Sequence, residues 1–265
     1  MTWGLGFWLR LFLFGAVCTG ASAAEVLVGS AVSLRAPMEE LSLRFEATHP
    51  GTHVRWTFGS SSNLARQIQF GGPIDVFVSA DERWVERLIS LSLVDASDHF
   101  RIASNRLVVV TRRGAGLEIN SPADLAGAEI DPIAVPPVAV PLGRYARAWL
   151  DHKGLAETLE SRTVVTEHAR ATLAAVEHGY ADAAIVYETD ANQSSRVEVA
   201  YRIPISEHPE IIYSAALLRN AKQDRSARQF HEYVGSPEAK SILRRAGFSP
   251  FAPAGSQEAP TDGSP

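Results

Sequence analysis

Phe58-Gly59-Ser60-Ser61-Ser62-Asn63-Leu64-Ala65-Arg66 is a polar turn that runs without a break into a helical pattern. Leu64 and Ile68 recur at i and i+4, and Gly71-Gly72 supplies a left-handed stop, so the serines fall at the helix N-terminus. The first turn of a helix has unpaired N–H groups and the positive end of the macrodipole. A helix start can therefore hold an anion without any basic side chain. One serine suffices to cap a helix. Three in succession leave hydroxyls free for another purpose.

Working outward, the same unit recurs. Val26 to Val28 is a short apolar run that enters the turn Gly29-Ser30-Ala31-Val32-Ser33 and then a helical pattern through Leu34, Met38, Leu41 and Phe45. His53 to Phe58 alternates as a strand before the serine-rich helix. Ile74 to Ser79 is a third strand, and Asp81 with Glu82 opens a third helix. After His99 the pattern restarts. Leu107 to Thr111 is a continuous apolar strand, and Ser121-Pro122-Ala123-Asp124 has a cap, a proline at the first helical position and an acid in the first turn. Ile133 to Val135 is a strand. Val140-Pro141-Leu142-Gly143 leads into a helix that Gly154 ends, and His168 to His178 is a helix stopped by Gly179. Ala183 to Tyr187 is a strand whose last residue is a tyrosine. Val197 to Ile203 and Glu210 to Leu218 read as strands, and two helices follow, the second framed by Ser236-Pro237 and Gly247. Strands alternating with helices predict an α/β protein with parallel pairing. Ligands of such sheets sit beyond the carboxyl ends of the strands. That places a site at the turns holding Ser33, Ser60 to Ser62, Leu142-Gly143 and His168-Ala169, with Tyr187 at a strand end. Each of the four turns, taken alone, is also an ordinary helix cap.

The ends of the chain differ from this body. Arg10 closes a short n-region, Leu11 to Cys18 is apolar, and Ala21-Ser22-Ala23 has a small-x-small form, so residues 1–23 read as a signal peptide cleaved near Ala23. A membrane anchor needs about 20 apolar residues, more than this stretch provides. Val17 precedes Cys18 where a lipoprotein signal prefers a small residue. Removing the segment takes away the single cysteine, hence any disulfide or thiolate ligand. It also leaves 24 basic against 30 acidic residues, a net charge of −6, with no basic stripe for nucleic acid or anionic lipid. Residues 252–265 are rich in Pro, Gly, Ser, Asp and Glu without an apolar period, and a disordered tail is expected.

Several of these stretches together resemble the periplasmic molybdate-binding protein family of ABC importers. They are Ala31-Val32-Ser33-Leu34, the serine turn through Ile68, Pro73-Ile74-Asp75-Val76-Phe77-Val78-Ser79-Ala80-Asp81 and Asn105 to Val110. Val140-Pro141-Leu142-Gly143-Arg144-Tyr145-Ala146 and Ala184-Ile185-Val186-Tyr187 complete the set. The resemblance covers residues 25 to 248. It implies a two-lobed type II periplasmic binding protein, each lobe a mixed, mostly parallel sheet flanked by helices. Lobe 1 would be residues 25–104 with 205–251, and lobe 2 residues 105–204, joined by a two-stranded hinge. It further implies that Ser33 and Ser61 donate hydroxyl and amide bonds to molybdate or tungstate. Leu142 and Ala169 would donate amides, and Tyr187 its phenolic hydroxyl, all reaching the metal only through the oxyanion's oxygens. Delivery to a membrane-embedded permease, a periplasmic monomer and no cofactor are the corresponding expectations. The chain departs from the family where Leu142 replaces a small residue and the turn before it reads Val135-Pro136-Pro137-Val138-Ala139-Val140-Pro141.

Chemistry favours molybdate over phosphate. Near neutral pH molybdate has no proton left to donate, whereas phosphate retains one, and a pocket made of donors leaves that P–OH unsatisfied at a cost of about 1 to 3 kcal/mol. Sulfate, also fully deprotonated, is the alternative ligand. Asp75 and Glu167 lie near the turns and read as a sheet-end hydrogen bond and a helix-dipole partner. An enzyme using Ser61 as nucleophile and His168 as base would lack a Gly-x-Ser-x-Gly elbow and an acid to orient the histidine. The histidines lack metal-ligand spacing. The sensing domain of a transcription regulator would need a helix-turn-helix where the signal segment stands.

Overall fold

A computed structural model describes residues 24–251. The signal segment (1–23) and the tail (252–265) lie outside the described residues. The first sheet contains β1 (Ala24–Ala31), β2 (Thr52–Gly59), β3 (Val76–Ser79), β4 (Val94–Ser104) and β10 (Ile212–Leu218), in the order β2-β1-β3-β10-β4. The second contains β5 (Leu107–Arg112), β6 (Ile133–Val135), β7 (Thr163–Val165), β8 (Ala183–Tyr187) and β9 (Val197–Arg202), in the order β7-β6-β8-β5-β9. Helices α1 (Arg35–Thr48), α2 (Ser61–Gln69), α3 (Glu82–Ser90), α8 (Arg225–Val234) and α9 (Pro237–Arg245) flank the first sheet. The second is flanked by α4 (Pro141–His152), α5 (Ala156–Glu160), α6 (Ala169–Glu177) and α7 (Glu188–Asn192). The chain passes between the two lobes twice, once between β4 and β5 and once between β9 and β10.

Pairing is mixed. β1 is parallel to β2 and β3, while β10 is antiparallel to both β3 and β4, so four strands share one direction and β10 runs against them. The second sheet repeats the plan, with β5 reversed between β8 and β9. Each reversed strand is the first to enter its sheet after a crossing. No crossover helix precedes it, and a parallel pair would require one.

Register brings the productive ends together. Ala31 of β1 pairs with Gly59 of β2, and Ser30 with Val78 of β3, so three strands finish at one edge and feed the starts of α1, α2 and α3 there. In the second sheet Val135 pairs with Val165 and Ala134 with Ala184, which aligns the ends of β6, β7 and β8. The core explains the apolar runs. Leu107 to Val110 are all buried because β5 is covered on both faces. Each such side chain contributes about 1.5 to 3 kcal/mol when fully buried.

Four elements escape the sequence reading. β4 carries Asp95, Asp98, His99 and Arg101 and lies at a sheet edge, so it lacks an apolar alternation. β7 is a three-residue edge strand, and α5 and α7 span five residues each. Ser121 and Asp124 do form a capping box, but it opens a 3-10 turn (Pro122–Ala126) and not an α-helix.

Candidate functional site

A small cavity lies between the lobes, and Ser33, Ser61, Leu142, Ala169 and Tyr187 all line it. Four helix starts converge there: the 3-10 turn Val32–Leu34 leading into α1, and the first turns of α2, α4 and α6. Lining residues also include Gly59, Ala80, Pro141 and His168, and none is Lys, Arg, Asp or Glu. The backbone amides of Ser61, Leu142 and Ala169 sit at the first or second helical position, where no intrahelical acceptor exists. Among the described residues no hydrogen bond takes them.

The three serines divide their work. Ser60 is the N-cap of α2, its Oγ accepting from the Asn63 amide at 3.3 Å, and it contacts Ser62 Oγ at 3.2 Å. Ser61 Oγ instead accepts from the Ala80 amide across the sheet edge at 2.9 Å. With an acceptor site filled, its own proton is free for the cavity. Ser33 Oγ lies 3.3 Å from the Tyr213 hydroxyl.

On the opposite wall, Pro141 occupies the first turn of α4, where its missing N–H costs nothing. A Cβ on Gly143 would come within 2.1 Å of the Pro137 carbonyl oxygen and 2.3 Å of that of Pro136. Glycine there lets the proline-rich turn close onto the helix start. Leu142 is 1% exposed and packs in the core. His168 is the N-cap of α6, with Nδ1 accepting from the Ala171 amide at 3.1 Å. That bond fixes the ring by a backbone group and not by a carboxylate, so the serine–histidine arrangement has no orienting acid. Tyr187 ends β8, is 1% exposed, and its hydroxyl has no partner among the described residues. Burial pushes its pKa well above the ordinary phenol range, which keeps it protonated and a donor.

Charge appears just outside the cavity. Asp81, the N-cap of α3, accepts from Arg144 Nε of α4 at 2.9 Å, an ion pair joining the two lobes, and also binds Arg83. Tyr145 adds a second bridge, its hydroxyl donating to the Ala80 carbonyl at 3.4 Å. Behind Tyr187 lies Asp190, 1% exposed, with neither carboxyl oxygen hydrogen-bonded and Arg170 Nη1 4.0 Å from Oδ1; burial pushes its pKa up to about 7, opposed by Arg170. Asp75, just before β3, accepts from the Leu27 amide in the middle of β1 at 2.8 Å, at the sheet edge away from the cavity. Glu167 is exposed ahead of α6. Among the described residues no group of three or more His, Cys, Asp or Glu could hold a metal ion. The Arg144 bridge and the contacts of Tyr213 went unread in the sequence, because no local pattern marks a partner far away in the chain.

Two mixed sheets, a double crossing and an inter-lobe cavity lined by helix starts define a two-lobed solute-binding protein of the type II periplasmic class. The family described as bacterial extracellular solute-binding protein matches residues 26–249. The molybdate-binding protein ModA of Escherichia coli K12 is 32% identical over 255 residues, which cover 91% of this chain and 98% of that protein. The Azotobacter vinelandii periplasmic molybdate-binding protein superposes with a TM-score of 0.77 at 25% identity, covering 86% of this chain and all of that one. The sulfate-binding protein SubI of Mycobacterium tuberculosis shares the fold at 18% identity, with a TM-score of 0.74 over 87% of this chain and 88% of its own. The chain belongs to the bacterial extracellular solute-binding protein family and, within it, to the family of the molybdate-binding protein ModA.

Proposed function

We propose that this protein captures molybdate, and tungstate with it, between its lobes and hands the ion to a membrane-embedded ABC permease. The observation that carries the reading is the buried, unpartnered Tyr187 hydroxyl at a cavity where free helix-start amides converge and no charged side chain intrudes. A fully deprotonated tetrahedral anion satisfies all these donors at once, and the helix ends supply the compensating positive potential. Ser33 and Ser61 donate hydroxyl and amide, Leu142 and Ala169 their amides, and Tyr187 its phenol. Size agrees. The cavity offers about 20 Å³ to the centre of a water-sized sphere, equivalent to a void of about 3 Å radius once the water radius is restored. One compact oxyanion fits such a space, and a nucleotide or peptide does not.

The same reading makes the protein a binder and not a catalyst, needing no cofactor, exported to the periplasm as a monomer after cleavage near Ala23. Relatives named for molybdate support the choice of ion. Calorimetric titration of the mature chain with molybdate, tungstate, sulfate and phosphate tests it. Molybdate and tungstate should bind tightly and phosphate not at all. A preference for sulfate would transfer the scaffold to that ion, and no binding of any of the four would overturn the reading.

A further inference from the structure

Behind Ser33 lies a buried chain of polar groups that runs to the inter-lobe crossing. Asn105 sits in the first crossing, between β4 and β5. Its Oδ1 accepts from the Arg106 amide at 2.8 Å, which orients the carboxamide. The nitrogen end then donates to Thr189 Oγ1 at 2.9 Å and to the Tyr213 hydroxyl at 3.2 Å. Both protons of that nitrogen are thereby committed. The Tyr213 oxygen is an acceptor toward Asn105, and its own proton needs another destination. Tyr213 is fully buried, and burial pushes its pKa far above the ordinary phenol range, so the proton stays on. Ser33 Oγ, at 3.3 Å, is the remaining partner of that hydroxyl among the described residues. Ser33 therefore accepts from Tyr213, and its own O–H is left to point into the cavity it lines.

We propose that Tyr213, held by Asn105, is a specificity-determining residue: it fixes the Ser33 hydroxyl as a donor and so makes the cavity refuse oxyanions that still carry a proton. This rests on the reading of the cavity as an oxyanion site and adds what keeps that site donor-only. A serine hydroxyl can rotate and serve either as donor or as acceptor. Left free, Ser33 could turn to accept the P–OH of hydrogen phosphate, and the discrimination against that ion would weaken. Ser61 is locked in the same sense by the Ala80 amide, a backbone group that no substitution except proline removes. Ser33 is locked by a side chain, so here the lock can be taken away. Tyr213 reaches the ligand only through Ser33 and is a positioning residue.

The test is calorimetric titration of the mature wild type, Tyr213→Phe, Ser33→Ala and the double variant, each with sodium molybdate and with inorganic phosphate at neutral pH. Tyr213→Phe should bind molybdate about tenfold more weakly than wild type. Its preference for molybdate over phosphate should fall by at least as much, because phosphate binding does not weaken with it. In the Ser33→Ala background the same change should alter molybdate affinity by no more than about twofold, since nothing remains to be oriented. A merely structural tyrosine would cost as much with Ser33 as without it. Should Tyr213→Phe fail to fold, Asn105→Ala frees the direction of the Tyr213 hydroxyl and should relax the preference in the same sense. Wild-type selectivity in the variant that folds, or an equal loss in both Ser33 backgrounds, overturns the inference. Absence of molybdate binding by the wild type would instead overturn the functional reading, and this inference with it.

Discussion

The two lobes build the same half-site from different materials. Lobe 1 presents hydroxyls, Ser33 and Ser61, each turned by a buried donor behind it. Lobe 2 presents the amides of an apolar leucine and an alanine at the first turns of α4 and α6, and a phenol with no partner at all. Hydroxyls can be redirected or deleted by substitution, whereas amides survive any change except proline. Lobe 1 is therefore where selectivity can be edited, and lobe 2 is where an unsatisfied burden waits for ligand. That burden includes Asp190, a buried carboxyl without a hydrogen bond, for which the immediate surroundings of Ser33 and Ser61 have no counterpart.

The largest effect expected from this asymmetry concerns stability. Asp190 is held near pKa 7 in the folded chain, above its ordinary value of 3.8. Between those values the folded state keeps a proton that the unfolded state has released, so stability falls as pH rises from about 4 to about 7 and stays low above that. At about 1.4 kcal/mol per unit over about three units, the total is on the order of 4 kcal/mol. Asp190→Asn removes the titration while keeping the shape. The variant should melt several degrees above wild type at pH 8 and close to it at pH 4, as read by calorimetric scans. Equal melting temperatures at pH 8 would show that Arg170 neutralises the carboxylate fully and that lobe 2 bears no such burden.

Tyr187 comes next. Tyr187→Phe keeps the ring and deletes a hydroxyl that has no partner in the unliganded fold, so the ligand-free melting temperature should hold or rise slightly. Affinity for molybdate should drop by about 1.5 to 3 kcal/mol, roughly ten- to a hundredfold, the worth of a hydrogen bond to a charged acceptor. Titration at wild-type affinity would assign the tyrosine to packing and leave lobe 2 with amides alone.

A smaller loss should follow from cutting the bridge between the lobes. Arg144→Met deletes the guanidinium, which stacks over the Tyr145 ring, and leaves Asp81 its contact with Arg83. What goes is one largely buried ion pair across the cleft; because Arg83 still pairs the Asp81 carboxylate, the loss should be held to about 1 kcal/mol, or a fewfold in affinity. Stopped-flow dissociation should show the change as faster release, since the pair joins the two lobes across the cleft. An unaltered release rate would mean that the lobes close without help from this pair.

How much of this was legible in the sequence depends on how local the cause is. Ser60 to Ser62 announce a helix start because capping acts over three residues, and Gly71, at φ +81°, announces its end. Alternating strands and helices revealed the sheets, but not the reversed strands β5 and β10, whose direction follows from the double crossing and not from their own residues. Tyr213 reads only as one more apolar position of β10. Asn105 reads as a loop residue, although its carboxamide joins groups 84 and 108 positions away. Leu142 and Ala169 carry no donor in their side chains, so their residue type says nothing of an anion. Their turns were marked by the strand–helix pattern, their role as amide donors came from the family resemblance, and their geometry at two helix starts gives the assignment a physical basis.

Leu142 therefore offers the sharpest separation of side chain from backbone, through the smallest expected change in affinity. Its side chain is 1% exposed and belongs to the core cluster that runs through both lobes, while its amide lies at the second position of α4, beside the cavity. Leu142→Ala leaves the amide and Pro141 in place and removes three carbons from a packed environment. A cavity of that kind typically costs about 2 to 5 kcal/mol of stability. The melting temperature should therefore fall by several degrees, while molybdate affinity at 25 °C, where the variant remains folded, should stay within about threefold of wild type. If affinity instead falls tenfold or more with folding intact, the ion is sensing the leucine side chain, and the view of lobe 2 as a donor surface independent of its side chains fails at this position.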